Sequence, residues 1–374
     1  MPEKFSTQRI TRLTPLAAVL SMIDSGVRPA APQRRPLHAA GNLTLAEDIV
    51  APLLPPAAIA LRDGYAVAAA SIADAGPYVP VALAKIPARV DVGEVLPKGT
   101  DAVAPLDSIV LHGNHASAAA PVLAGDGVLA AGGDAAANTL LRRDGERLRP
   151  ADGAIMAAAG FVDVMVRAPN IHIARGRPNG SMLIDAILDL LGQAVMAAGG
   201  TVLEGPQDAL PLDAALPDGD ADAVIAVGGT GSGRDDESVR ALTRLGQVEV
   251  HGVAMSPGET AAFGFVGTRP VLLVPGRLDA ALAVWLLIGR HLVARLAGGT
   301  VEDRSVMMPL RRKATSSIGL TELIPVSCSD GMAEPLASGY LSFSSLARSD
   351  GWIVIPADSE GFAAGTPVAV RSWP

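Results

Sequence analysis

Residues 222–236 join an uninterrupted apolar run to a loop that contains four glycines, and the loop leads into acidic side chains. The run 223–227 is short and partly β-branched, which is typical of a strand buried on both faces. The glycines of 228–233 permit backbone conformations that a side chain would forbid, and apolar residues then recur at helical spacing through 238–245. A strand, a glycine turn and a helix start in this order predict a concave group of backbone N–H donors facing a small anion.

This loop specifies the ligand only in part. It lacks the Gly-Lys-Ser/Thr ending of a P-loop, and the spacing of Gly229, Gly231 and Gly233 is not the dinucleotide fingerprint. A tight turn before an ordinary helix would explain the same residues, because the helix dipole favours acids in the first turn by about 0.3–1 kcal/mol. The sequence leaves both interpretations open.

Composition excludes several classes of function. A chain of 374 residues predicts two to four domains. A net charge of -8 argues against a general nucleic-acid or membrane-surface role. The first residues lack the apolar core of a signal peptide, and the longest apolar stretch, 280–289, is too short to span a bilayer. The single Cys328 cannot form an intramolecular disulfide, so we expect a reducing, cytoplasmic location.

The N-terminal half mixes helices with short strands. Residues 15–23 predict a helix capped by Thr14 or Ser21 and stopped at Gly26, and residues 34–36 read as a linker. Prolines 52, 55 and 56 then predict an extended loop that leads to Asp63. Short apolar runs broken by Pro and Gly predict a small β domain within 77–128, followed by a helix over 150–160.

From residue 170 the pattern becomes an α/β alternation. It predicts a strand at 170–174, helices at 183–198 and 212–216, and the central strand at 223–227. Residues 271–276 repeat the device of a buried strand that ends at a glycine, followed by a buried helix over 279–296. Two such strand ends predict one shared crevice at the edge of an open sheet. Beyond about residue 300, short β runs predict a small barrel or sandwich.

Five motifs in order resemble those of the molybdenum insertases, the molybdopterin molybdenumtransferases that include the C-terminal domain of gephyrin. These motifs lie at residues 46–52, 63–67, 96–103, 251–265 and 343–356. The resemblance implies a multidomain α/β plus β fold. Its central molybdopterin-binding-type α/β domain, with a parallel-rich sheet, would span 169–299, and a C-terminal small β-barrel would span 300–374.

The same resemblance implies N-terminal mixed α and β domains and a homodimer. Residues 1–45 and 130–168 would form the linker and dimerisation domain, and 46–129 the small β domain. The crevice of one chain would be approached by the N-terminal part of its partner, and a molybdoenzyme would be a further partner. No nucleic acid or membrane partner is expected.

The implied reaction is the insertion of molybdate into adenylylated molybdopterin, with release of AMP and a requirement for a divalent cation such as Mg²⁺. By position, Asp63, Asp134 and Asp236 match the catalytic acids, and Asp208 and Asp236 the metal ligands. The carboxylates would hold the cation and the attacking water. The residues expected to bind the molybdopterin ligand are Gly228, Gly229, Thr230, Gly231, Ser232, Gly233, Arg234, Ser256, Pro257, Gly258, Pro275, Gly276, Arg277 and Arg175.

Several crevice positions depart from the family pattern. Residues 175–180 replace a Thr-Gly-Asp-Glu motif, and the two lysines of Lys-Pro-Gly-Lys-Pro correspond to Ser256 and Glu259. The loss of two lysine contacts would cost about 3–6 kcal/mol of binding. Arginines are new at the three strand ends, which motivates the hypothesis that guanidinium groups clamp the anion directly. These arginines are Arg175, Arg177, Arg234 and Arg277.

The departures leave an alternative open. A catalytically impaired paralogue would bind molybdopterin or another phosphorylated anion as a carrier or scaffold without converting it. The retained acids favour insertion, whereas the lost lysines favour the paralogue.

Overall fold

The computed structural model describes residue 8 and residues 10–176, 181–203, 211–217, 219–233 and 236–373. The helices are α1 (Leu16–Gly26), α2 (Pro150–Ala158), α3 (Met182–Ala197), α4 (Leu212–Ala215), α5 (Ser238–Leu245), α6 (Leu278–Val284), α7 (Arg290–Leu296) and α8 (Phe343–Ala347). A π-helical turn, Trp285–Gly289, joins α6 to α7, and short 3-10 turns lie at Leu37–Ala39, Ala69–Ile72 and Leu106–Ser108.

The strands of the first half are β1 (Thr14–Pro15), β2 (Gln33–Pro36), β3 (Thr44–Leu45), β4 (Ile49–Val50), β5 (Ile59–Ala60), β6 (Gly64–Val67), β7 (Val81–Leu83), β8 (Arg89–Val90), β9 (Ala102–Ala104), β10 (Ile109–His112), β11 (His115–Ala118), β12 (Val128–Leu129), β13 (Leu140–Arg142) and β14 (Asp163–Arg167). Those of the second half are β15 (Asn170–Arg175), β16 (Thr201–Val202), β17 (Ala223–Val227), β18 (Gln247–His251), β19 (Val253–Ser256), β20 (Ala262–Val266), β21 (Arg269–Val274), β22 (Ser305–Pro309), β23 (Ala314–Thr315), β24 (Thr321–Ser329), β25 (Met332–Pro335), β26 (Gly351–Ile355), β27 (Gly361–Phe362) and β28 (Pro367–Ser372).

The chain divides into two compact units. One unit contains residues 1–47, 145–154 and 162–374, and the other contains residues 48–144 and 155–161. The second unit is built from small sheets, of which β10-β11-β7 and β8-β6-β9 are the larger. Its strands are short because Pro and Gly interrupt the apolar runs, as the sequence predicts.

The centre of the first unit is a six-stranded sheet in the order β16-β15-β17-β21-β20-β18. Strands β16, β15, β17 and β21 run parallel, whereas β20 and β18 are antiparallel additions at one edge. The side chains of β17 alternate between two apolar clusters. Ala223, Ile225 and Val227 pack with α3 and α6, and Val224 and Ala226 pack with α4 and α5. Helices therefore cover both faces, which explains why the strand is apolar throughout.

A second sheet follows the order β1-β19-β24-β26-β28-β22, with β25 paired to β24. Strand β19 continues the chain from β18 of the central sheet, so the two sheets are linked at Gly252. The C-terminal β domain and the parallel-rich α/β domain both confirm the fold class that the sequence predicts. Within the described residues, no helix combines the length and apolar character needed to cross a bilayer.

Two local predictions are wrong. Helix α1 begins at Leu16 after Pro15, because Thr14 pairs with Val253 in β1 and its side chain does not cap the helix. Ser21 lies inside α1 and does not cap its start, whereas the predicted stop at Gly26 is confirmed, because Gly26 is the last residue of the helix. Residues 33–36 are strand β2 and not a linker, because they pair antiparallel with β14, more than a hundred residues away.

Candidate crevice at the central sheet

Three parallel strands end side by side at one edge of the central sheet. Arg175 pairs with Val227, and Val227 pairs with Val274, so the carboxyl ends of β15, β17 and β21 lie next to one another. The turns continue this contact: the Gly228 amide donates to the Val274 carbonyl at 2.8 Å, and the Gly176 amide donates to the Val227 carbonyl at 2.8 Å. The strand ends that the sequence singles out are therefore neighbours.

The turns approach each other closely enough to require glycine. Gly229 has a φ of +74°, which L side chains rarely adopt, and a Cβ there would overlap the Ser238 hydroxyl. A Cβ on Gly176 would overlap the Gly228 carbonyl oxygen, and one on Gly276 would lie 3.3 Å from the Gly228 Cα. The turns therefore approach one another closely, with the Ser238 and Ile184 side chains beside them.

Ser238, the first residue of α5, fastens two of these turns. Its hydroxyl lies 2.6 Å from the Gly228 carbonyl oxygen and 2.9 Å from that of Gly176, and its single proton serves one of them at a time. The side chain is 1% exposed. Ser238 is not among the site residues that the sequence predicts, although a serine at a helix start after a glycine loop is a usable signal.

The glycine loop is also tied to the segment that follows β19. The Thr230 hydroxyl lies 3.0 Å from that of Thr260, and the Thr230 carbonyl accepts from His251 Nε2 at 2.9 Å in the tautomer protonated there. Thr230 is 2% exposed. These contacts bring the predicted Ser256-Pro257-Gly258 turn to the same region as the glycine loop.

The 256–258 turn contributes shape more than charge. Its serine ends β19, the peptide bond between Ser256 and Pro257 is cis, and Gly258 has a φ of +117°. A Cβ on Gly258 would lie 2.9 Å from side-chain atoms of both Met255 and Val284. The exposed Glu259 accepts from the Gly258 amide at 3.0 Å. A carboxylate therefore stands where the family pattern has a lysine.

Asp236 is held by the loop that it closes. Its Oδ2 accepts from the Gly233 amide at 3.0 Å, and its own amide donates to the Gly233 carbonyl at 3.2 Å. The side chain is 7% exposed. The loop side chain Ser232 is exposed. Arg234, Arg177 and Asp208 lie outside the described residues, so their expected roles stay predictions.

The two described arginines of the crevice are paired within the chain. Arg175 forms an ion pair with Asp185 in the first turn of α3. Arg277, which follows Pro275 and Gly276, donates to both carboxylate oxygens of Asp279, and this hydrogen bonding raises the pKa of Arg277 above its usual value. An incoming anion would therefore share these guanidinium groups with carboxylates.

The expected magnesium site stays a prediction, because Asp208, one of its two expected ligands, lies outside the described residues. Within the described ranges no three His, Cys, Asp or Glu side chains gather as metal ligands. One carboxylate oxygen of Asp236 already accepts a hydrogen bond from the Gly233 amide. Mg²⁺ in proteins prefers oxygen ligands held in octahedral geometry.

Asp63 and Asp134 belong to the other compact unit. Both side chains are exposed; Asp63 Oδ1 accepts from the Val92 amide at 2.9 Å, and the Asp134 amide donates to the Leu54 carbonyl at 2.9 Å. Residues 61–63 form a bend that leads directly into β6 at Gly64. The approach of these two acids to a crevice stays a prediction.

Three family models match successive parts of the chain. The MoeA N-terminal region, domains I and II, matches residues 14–160, a molybdopterin binding domain matches 179–295, and the MoeA C-terminal region, domain IV, matches 308–373. The three matches follow one another in sequence order and leave only short segments between them.

Full-length relatives agree with this order. The chain is 28% identical over 395 residues to a Mycobacterium tuberculosis protein named molybdopterin molybdenumtransferase 2, covering 92% of this chain and 96% of that protein. It is 26% identical over 393 residues to the molybdopterin molybdenumtransferase of Synechococcus elongatus, covering 92% and 95%. The crystal structure of a molybdopterin biosynthesis MoeA protein from Pyrococcus horikoshii has a TM-score of 0.75 at 24% identity, covering 97% and 100%, and at that identity it supports the fold alone.

Proposed function

Because the chain belongs to the MoeA family, we propose that it inserts molybdate into adenylylated molybdopterin during molybdenum cofactor biosynthesis. The observation that carries this proposal is the meeting of the turns after β17 and β21, where the Gly228 amide reaches the Val274 carbonyl at the edge of the central sheet. In open α/β sheets, ligands bind in the crevice outside the carboxyl ends of the strands.

Backbone groups would provide the first contacts to the ligand. The adenylylated substrate presents phosphate oxygens, and the N–H groups of Gly231 and Ser232, in the accessible part of the glycine loop, are donors of the kind that bind them. Arg175 and Arg277 stand at the neighbouring strand ends, so each would contact the anion while retaining its carboxylate partner. The narrow gap between Gly228 and Gly276 would favour a thin, planar or extended group over a bulky one.

The acids would act on the bond between the two phosphates. We infer that Asp236, fixed by the Gly233 amide, orients the water that attacks the phosphoanhydride, so that AMP leaves and the other phosphate stays on molybdopterin. Asp63 and Asp134, supplied by a partner subunit, would complete the site. Molybdate enters as a substrate and AMP leaves as a product.

We also infer a homodimer in which Asp63 of the partner subunit serves the crevice, with a molybdoenzyme as the acceptor of the finished cofactor. The reducing cytoplasm is the location that suits the single Cys328, whose thiol pKa is raised by burial and by Asp350. The division into four domains at residues 1–45 with 130–168, 46–129, 169–299 and 300–374 remains part of this proposal.

The impaired-paralogue alternative is not favoured. Relatives that cover more than nine-tenths of the chain carry the transferase name, and Asp63, Asp134 and Asp236 are retained. The altered arginine and glutamate positions change the charge of the crevice without removing the backbone donors.

The test combines a cell-based and a purified assay. A strain that lacks its molybdenum insertase should recover molybdoenzyme activity when it expresses this chain, and the purified protein should release AMP from adenylylated molybdopterin in a molybdate-dependent manner. Absence of both results would reject the proposal. Binding of molybdopterin without AMP release would instead support the paralogue.

A further inference from the structure

Gln8 places its carboxamide against the glycine loop, although more than two hundred residues separate the two in sequence. Its Nε2 donates to the Gly229 carbonyl at 3.0 Å and to the Gly231 carbonyl at 2.8 Å. Its Oε1 accepts from the Arg240 amide, in the first turn of α5, at 3.1 Å. The residue is 8% exposed, so a buried polar side chain has both of its donors and an acceptor satisfied by one loop and one helix start.

The neighbouring N-terminal residues are fixed beside the same loop. The Thr14 amide donates to the Gly252 carbonyl at 2.9 Å, and Thr14 pairs in parallel with Val253. Ile10 and Leu13 pack so closely on Gly252 that a Cβ there would lie 2.5 Å from the Ile10 Cγ2. Since His251 next to Gly252 contacts the Thr230 carbonyl, the N-terminal stretch and the glycine loop share one framework.

The contact of Gln8 has a directional consequence. In a planar trans peptide the C=O and the following N–H point in opposite directions. With the carbonyls of Gly229 and Gly231 turned toward Gln8, the amides of Thr230 and Ser232 turn away from it. Within the described part of the chain, neither of these two amides has a hydrogen-bond acceptor.

We propose that Gln8 is a positioning residue of the anion site: it holds two carbonyls of the glycine loop and thereby presents the amide of the exposed Ser232 to a phosphate or pyrophosphate group of the ligand. This inference rests on the proposed function and deepens it. Because Arg175 and Arg277 are already paired with carboxylates, oriented backbone donors carry a larger share of anion recognition. Gln8 also occupies the Arg240 amide, so the loop and not that amide faces the ligand.

Two variants separate hydrogen bonding from shape. Gln8→Glu keeps the length and the acceptor but loses both donors, and its charge faces the two carbonyls. Gln8→Met keeps the approximate shape without polar atoms. Gln33→Met is the matched control, because Gln33 also donates from Nε2 to a distant backbone carbonyl, that of Ala168 at 3.3 Å, but lies on β2.

Two measurements then decide the role. Hydrogen exchange of the peptide containing residues 228–240 should be faster in both Gln8 variants and unchanged in the control. The Kd for molybdopterin, and separately for inorganic pyrophosphate, should rise about tenfold or more, as expected for the loss of one charge-assisted hydrogen bond. KM should rise by a similar factor while kcat stays near the wild-type value, whereas a partly unfolded enzyme would lose kcat at constant KM.

The outcomes are distinguishable. Unchanged exchange in Gln8→Glu, or faster exchange with unchanged Kd for a probe that the wild type binds, would overturn the positioning role. A wild type that binds pyrophosphate but not molybdopterin would reject the proposed function, and the pyrophosphate comparison would still decide the role of Gln8. A wild-type protein that binds neither molybdopterin nor pyrophosphate would reject both the proposed function and the positioning role of Gln8.

Discussion

Arg277 and Asp279 are joined by two parallel hydrogen bonds, 3.0 Å from Nε to Oδ1 and 2.6 Å from Nη2 to Oδ2. Asp279 is 3% exposed and also accepts from the Leu341 amide at 3.2 Å, so its carboxylate links the turn after β21 to the segment before α8. The Arg277 guanidinium lies 5.2 Å from the centre of the Tyr340 ring. The charge that the crevice offers to an anion at this strand end is therefore shared with a carboxylate.

This pairing predicts that Asp279→Asn strengthens anion binding. Removal of the carboxylate charge leaves the Arg277 guanidinium available, so the Kd for pyrophosphate should fall several-fold, and the gain should shrink as salt is added. The free energy of unfolding should decrease by about 1–2 kcal/mol, because charge-assisted hydrogen bonds to Arg277 and the bond to Leu341 weaken. Titration calorimetry and urea unfolding measure the two effects.

The exposed pair of Arg244 and Asp213, 3.0 Å apart, provides the control for that substitution. Asp213→Asn should change the free energy of unfolding by less than about 1 kcal/mol and leave the Kd unchanged. Weaker anion binding in Asp279→Asn would show that Asp279 orients Arg277 for the ligand and does not compete with it.

The left-handed backbone of Gly229 predicts a second, steric effect. Gly229→Ala places a Cβ at a φ of +74° and against the Ser238 hydroxyl, which should cost about 1–3 kcal/mol of stability and abolish measurable AMP release. Gly41→Ala is the control, because nothing lies within 4 Å of a Cβ at Gly41. Thermal unfolding with an activity assay on both variants checks the prediction. Equal activity in Gly229→Ala and Gly41→Ala would mean that the loop does not need its observed conformation.

The sequence predicts elements that depend on nearby residues better than elements whose strand partner is remote in the sequence. The bounds of β17 and α5 follow the predicted strand and helix, because both are set by local periodicity. The adjacency of the two glycine turns also follows from a general property of parallel sheets. By contrast, the local sequence of β2 predicts a linker, because its partner β14 is remote and its own residues are mostly exposed.

In the candidate site, too, local features are predicted from the sequence and contacts between remote residues are not. The glycine loop was visible in the sequence, but the contact of Gln8 with it was not, since an isolated glutamine near the N-terminus has no local pattern. The arginine clamp was inferred from residue type alone. For Arg175 and Arg277, the described carboxylates Asp185 and Asp279 stand beside the guanidinium groups, and the second of these lies only two residues away and could have been considered.

The C-terminal sheet gives a pH-dependent prediction. Hydrogen bonds from Arg371, 2.7 and 2.6 Å long, lower the pKa of Asp303 below its usual value. A lowered folded-state pKa stabilises the protein above the unfolded pKa of about 3.9, and this contribution is lost as the pH falls through the folded pKa. Asp303→Asn should therefore reduce stability at pH 7 by at most about 1 kcal/mol, because the carboxylate is half exposed, and should have a smaller effect near pH 2.

Urea unfolding at the two pH values measures this contribution. A double-mutant cycle with Arg371→Met isolates the pair from the contact of Arg371 with the Trp352 ring. A loss of stability that is the same at both pH values would assign the effect to packing and not to the ionised carboxylate.

The proposed homodimer predicts complementation between two inactive variants. If the crevice uses Asp236 of one chain and Asp63 of the partner subunit, Asp63→Asn and Asp236→Asn should each release AMP at a small fraction of the wild-type rate. After the two are unfolded together and refolded as a mixture, each mixed dimer should contain one intact site, and activity should recover to about one quarter of the wild-type value on random pairing. Persistent inactivity of a mixture shown to contain mixed dimers would place both acids in one chain.

The central claim is that the turns after β17 and β21 enclose the binding site for molybdopterin. Gly276→Val tests it most directly. A Cβ added at Gly276 would lie 3.1 Å from Ile184 Cδ1 and 3.3 Å from the Gly228 Cα, and the two methyl groups of valine would extend further between the turns. Calorimetric titration of molybdopterin should show one site per chain in the wild type and in Gly41→Val, and at least about tenfold weaker binding in Gly276→Val, equivalent to about 1.4 kcal/mol. Equal affinity in folded Gly276→Val and wild-type protein would contradict the claim.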